Sequence, residues 1–113
     1  DVMMEQEFTI KVADLIMPVP GQGLLIKFPD LPIPEGAADR DQFECDFSIH
    51  TRDGREISAA GKLEITPENT TVRGETVKRH FSGLVETNEP EKSLIDARCK
   101  ATLKGKISGF SLA

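Results

Sequence analysis

The sequence predicts an all-β fold of about seven strands, either a single antiparallel β-sandwich of immunoglobulin-like size or a small twisted barrel. Three observations carry that expectation. Period-two alternation of apolar and polar residues recurs along most of the chain. Turn signals built from Pro, Gly, Asn and Asp separate the alternating stretches. Helical periodicity is absent from every window. The chain has 113 residues, which suits one domain covering 1–113 with a core of its own.

Phe8, Ile10 and Val12 alternate with Thr9 and Lys11, the pattern of a half-buried strand. Ala13 to Met17 either extends that strand or turns away from it. Pro18-Val19-Pro20-Gly21-Gln22-Gly23 reads as a loop, and Gly23 to Phe28 as a short strand. Pro29 to Asp41 holds three prolines and is expected to be irregular. Gln42 to Thr51 and Glu56 to Thr66 both alternate, and Arg52-Asp53-Gly54-Arg55 between them is a hairpin turn in which Gly accepts positive φ. Glu75 to Thr87 reads as a strand with Val77, Phe81 and Val85 in phase. Ser93 to Leu103 reads as the last long strand, through Ile95, Ala97, Cys99, Ala101 and Leu103. Ile107 keeps that phase and Phe110 and Leu112 do not, so a bulge at Gly109 or a tight turn at Lys104-Gly105 is expected.

The stretch Gln42-Phe43-Glu44-Cys45-Asp46-Phe47-Ser48-Ile49-His50 has one possible register. Burying Phe43, Phe47 and Ile49 is worth roughly 1.5–3 kcal/mol each. Burying Glu44 and Asp46 instead would cost more than that. Cys45 therefore points into the core, and the same logic places Cys99 there. Their separation compares with that of the inter-sheet disulfide in immunoglobulin-type domains. The likeness ends at that point, because Ala97 stands where a tyrosine corner would be and the chain has no Trp. A second arrangement sets Cys45 opposite Cys99 on neighbouring strands, pairing Glu44 and Asp46 with Arg98 and Lys100. A Cys45–Cys99 disulfide and two reduced core thiols are the alternatives, and they bear on compartment. Asp1 leaves two histories open: a remnant ahead of a native start at Met3 or Met4, or a mature chain whose leader or preceding domain was removed.

The net charge is −5, opposite to the basic excess of nucleic-acid binders, so no nucleic-acid partner is expected. No apolar run approaches the roughly 20 residues that span a bilayer. Six Phe without Trp or Tyr argues against a carbohydrate site. Arg98, Lys100, Lys104 and Lys106 share the outward face of the last strand and form a candidate stripe for an anion or an acidic partner. Their bland alternative is pairing with Glu44, Asp46, Glu56 or Glu64. His50 and His80 are expected to face solvent. Glu35, Asp39 and Asp41 place three carboxylates in one loop, which is better read as a solvated acidic loop than as a Ca²⁺ site. Gly21-Gln22-Gly23 lacks the helix a phosphate cradle needs, and Asn69-Thr70-Thr71 matches the glycosylation triplet in an expected turn. Arg79, in phase with Val77 and Phe81, is the one hint of a polar group facing inward.

Neither a catalytic signature nor a cofactor motif is present. The expected function is a non-enzymatic protein-interaction module, with a protein partner or self-assembly. The alternatives are a structural self-assembling subunit of a tube, fibre, pilus or virion, and a small-ligand-binding β-barrel.

Overall fold

The computed structural model describes residues 2–67, 71–72, 75–76 and 79–107. Among these described residues nine strands form: β1 (Val2–Thr9), β2 (Leu15–Val19), β3 (Gly23–Phe28), β4 (Gln42–His50), β5 (Glu56–Thr66), β6 (Thr71–Val72), β7 (Glu75–Thr76), β8 (His80–Glu86) and β9 (Arg98–Gly105). A 3-10 turn (Val12–Asp14) joins β1 to β2, and one helical turn, α1 (Glu91–Leu94), precedes β9. Seven strands make one antiparallel sheet in the order β1-β9-β4-β5-β8-β3-β2, and β6 pairs with β7 in a separate ladder. The all-β expectation of about seven strands is met.

The sheet must curl, because one row of apolar side chains on each strand needs cover and the described residues hold no second layer of long elements to give it. Phe8 on β1 meets Phe28 on β3 edge to face, with ring centroids 5.6 Å apart. Phe28 stacks on Phe47 of β4, and Phe43 packs edge-on against Phe81 of β8. These rings converge from strands that are distant in the sheet order, so the sheet is a roll around its own core. Among the described residues the roll does not close by hydrogen bonds, since β1 and β2 each have a single neighbour. Leu31 and Ala37 from the 29–41 loop and Leu94 from α1 are buried in the same core.

The β4–β5 hairpin follows its sequence. Ile49 pairs with Ile57, Cys45 with Gly61 and Phe43 with Leu63. Its turn is held by Thr51, whose N–H donates to the Arg55 carbonyl at 2.9 Å and whose Oγ1 accepts from the Arg55 N–H at 3.0 Å. Gly54 takes φ 88° there, as the Asp-Gly signal requires.

Several expectations are corrected. Val12 leaves the strand phase for the 3-10 turn and is 66% exposed. Lys11 N–H donates to Asp14 Oδ2 at 3.1 Å and Asp14 N–H to the Lys11 carbonyl at 2.9 Å, a local ring that competes with extension. Pro18 is not in a loop but inside β2, an edge strand, where its missing N–H costs no ladder bond if turned outward. Ser93 to Leu103 is not one strand. α1 and a turn precede β9, and Asp96 at φ 62° redirects the chain while leaving Ile95 and Ala97 in apparent phase. β9 continues through Gly105, so Lys104-Gly105 is not a turn. Glu75–Thr76 forms a ladder with Thr71–Val72 instead of extending β8. Val77, Asn69, Thr70, Gly109, Phe110 and Leu112 lie outside the described residues.

Candidate docking surface

Both cysteines point into the core, 2% exposed, and both are free. β4 and β9 are antiparallel neighbours, as one of the two arrangements requires, but the register differs by four residues. Cys45 stands opposite Leu103, and Cys99 opposite Ile49. Of the two alternatives the Cys45–Cys99 disulfide is the one corrected, because four residues of strand rise exceed the Cα spacing a disulfide spans, and the two cysteines are core thiols. Gly105 explains the register. It faces Phe43, and a Cβ there would lie 2.5 Å from the Phe43 ring, so only glycine can occupy that place. Burial pushes both thiols up to about 12, and for Cys45 the neighbouring Cys99 and Asp46 add to the rise. Such thiols are not nucleophiles at neutral pH.

The basic stripe divides. The pairing of Glu44 and Asp46 with Arg98 and Lys100, part of the neighbouring-strand alternative, gives way to Glu44 opposite Lys104 and Asp46 opposite Thr102. Lys100 pairs instead with Glu5 of β1 at 3.2 Å. Arg98 and Lys100 border a shallow cleft of about 370 Å³ with Glu7 and His50. Lys104 and Lys106 border a second, of about 440 Å³, with Lys62, Glu44 and Gly105. Carboxylates interrupt both, so no continuous cationic surface results among the described residues.

The other predicted residues are held structurally. Asp39 accepts from Arg79 at 2.9 Å, and Asp41 Oδ2 accepts from the Ala38 N–H at 2.9 Å. Arg79 turns outward, also donating to the Ala37 carbonyl at 3.2 Å, so it does not line an interior cavity. Among the described residues no group of three or more His, Cys, Asp or Glu could hold a metal ion. His50 is exposed, but His80 is 8% exposed, which corrects its expected solvent position. No helix among the described residues is long and apolar enough to cross a membrane.

The arrangement that stands out lies on the outer, convex face. Leu24, Ile26 and Phe28 of β3 and Phe81 and Val85 of β8 point into the core. Leu25 and Leu84 between them therefore point outward. They are direct cross-strand partners, and Leu25 is in turn the partner of Met17 on β2. The strand register extends this row across the whole sheet as Met3, Lys104, Glu44, Lys62, Leu84, Leu25 and Met17. Its β9–β4–β5 part is charged, its β8–β3–β2 part is apolar, and both ends are methionines, 71% and 52% exposed. Val19, opposite Gly23, shares the outer face of β2. A bulge between Leu15 and Met17 carries the 47%-exposed Ile16. A shallow cleft of about 380 Å³ adjoins the patch, lined by Leu84, Glu86, Gly21 and Gln22.

The apolar outer residues of β8, β3 and β2 do not stand out as a site in the sequence, although a signal is present. Leu24-Leu25-Ile26 and Leu15-Ile16-Met17-Pro18-Val19 are unbroken apolar runs. Strands covered on both faces read that way, whereas half-buried strands alternate. Comparison with protein-family models, with curated proteins and with solved structures returned no match.

Proposed function

We propose that this chain is a non-enzymatic protein-interaction module whose binding surface is the outer face of β8, β3 and β2. The observation that carries this reading is the Leu84–Leu25–Met17 row, an apolar patch on the solvent side of the sheet, rimmed by Lys62, Lys27 and Glu86. Contiguous apolar surface with a polar rim is what a protein partner desolvates. The inner face supports the same reading, because its core-facing positions are filled by packed apolar side chains.

The test compares the wild-type chain with Met17→Glu as bait. The reading requires a defined protein, this chain included, that binds the wild type when both components are purified and loses that binding with Met17→Glu. A partner bound equally by both versions, or no binding partner of either kind, would overturn it.

A further inference from the structure

The rim of the apolar patch is polarised along the strands. β3 and β8 run antiparallel with Leu25 opposite Leu84 and Lys27 opposite Ser82. Two residues beyond Leu84, at the other end of the patch, stands exposed Glu86. Lys27 therefore marks one end, Glu86 marks the other, and the leucine pair lies midway. Among the described residues, neither Lys27 nor Glu86 has an ion-pair partner.

We propose that the occupant of this surface is a second copy of the same chain, packed face to face through the outer surfaces of β8, β3 and β2. This deepens the interaction reading above and rests on it. Consider a twofold axis lying between the two faces and running across the strands over the Leu25–Leu84 pair. It brings the two leucine pairs together and sets the Glu86 end of each copy over the Lys27 end of the other. Glu86 and Lys27 are on adjacent strands, about 5 Å apart laterally, which two long side chains bridge. Two symmetry-related Glu86–Lys27 pairs then flank an apolar centre formed by Leu25, Leu84 and Met17, the layout of an isologous interface. An axis parallel to the strands would instead set Glu86 over Glu86 and Lys27 over Lys27. The Glu86 and Lys27 charges thus favour the first orientation, in which the exposed Lys62 side chains of the two copies meet on the axis at the β5 rim, where they reach solvent. The run Leu24-Leu25-Ile26, whose Leu24 and Ile26 are already buried in the core, then has both faces covered, as such apolar runs commonly have.

Sedimentation equilibrium over a wide concentration range, on the untagged chain, tests the proposal. The wild type is expected to shift from monomer to dimer as concentration rises. Met17→Glu is expected to remain monomeric, and since Met17 is exposed it should fold normally, which circular dichroism checks. The charges give the orientation. Lys27→Glu and Glu86→Lys should each weaken the dimer on the order of tenfold, because each sets like charges together. The double exchange should recover most of that loss. A wild type that stays monomeric throughout overturns self-association, as does a dimer indifferent to Met17→Glu. A dimer that the double exchange fails to restore overturns the stated orientation. If the monomeric wild type binds a different purified protein and Met17→Glu does not, the interaction reading survives while the second copy is excluded.

Discussion

At the scale of single residues, Cys45 shows how far a sequence argument reaches. Alternation places it in the core, and the structure agrees, at 2% exposure. What alternation does not carry is the position along the neighbouring strand, which Gly105 sets by leaving room for Phe43. Both thiols are buried, pushed up to about 12 and not joined. Iodoacetamide at neutral pH should therefore label neither cysteine in the folded chain, and both in denaturant without any reductant. A need for prior reduction would contradict this. A second residue-scale case is Asp53 in the hairpin turn. Its carboxylate accepts from Thr51 Oγ1 and, at 3.0 Å, from Arg55 Nε, and these bonds hold its pKa below the ordinary value. Because the folded value is the lower one, the ionised carboxylate favours folding above the unfolded pKa of about 3.9. That contribution disappears as pH falls through the folded value. Asp53→Asn should accordingly be less stable than wild type at neutral pH, and the gap should shrink in acid below the unfolded pKa. Urea midpoints at several pH values measure this, and a gap that widened in acid would refute it.

At the scale of elements, β4, β5 and the Asp-Gly turn between them were legible because both strands alternate and meet at a strong turn signal, and β3 because Pro- and Gly-rich segments bound its apolar run on both sides. The 3-10 turn and α1 were not legible. Both are too short to show helical period, and both leave apolar residues, Val12 in one case and Ile95 and Ala97 in the other, in phase with the adjacent strand. Nor was the outer row of Leu84, Leu25 and Met17 legible as a unit, because it exists only once three strands are set in register. Close approach of β5 and β8 is a condition of that row. Gly83 of β8 faces Leu63 of β5, and a Cβ at that position would collide with the Lys62 carbonyl oxygen and lie 2.9 Å from Leu63 Cα. These are backbone atoms in a paired strand and cannot move aside independently. Gly83→Ala should therefore destabilise the fold by about 1–3 kcal/mol or more, the range for forcing atoms into a filled site. It should also shift the amide resonances of Lys62 to Glu64. Wild-type urea stability in the Gly83→Ala chain would show that the two strands are not held this closely.

At the scale of the whole molecule, the seven-stranded sheet rolled around its core leaves two edges among the described residues, and the two differ. β1 is eight residues long, has no proline, and its exposed outward face carries Glu5 and Glu7. β2 is five residues long, carries a bulge and contains Pro18. Bulges and prolines are what native edges use to refuse an added strand. The exposed apolar residues near β2 therefore suit contact through side chains on the sheet face rather than growth of the ladder. Hydrogen exchange separates these two modes. Amides of β4, β5, β9 and β8, paired on both sides, should exchange most slowly, near the rate set by global unfolding. Those of β2 should exchange fastest among the seven strands, both in dilute protein and at concentrations where copies associate, since face packing gives its edge amides no new acceptor. If association instead protected β2 to the level of β4 and β5, the copies would be joined edge to edge. Met17 and Leu25 would then be rim residues of an extended sheet, not the centre of a face.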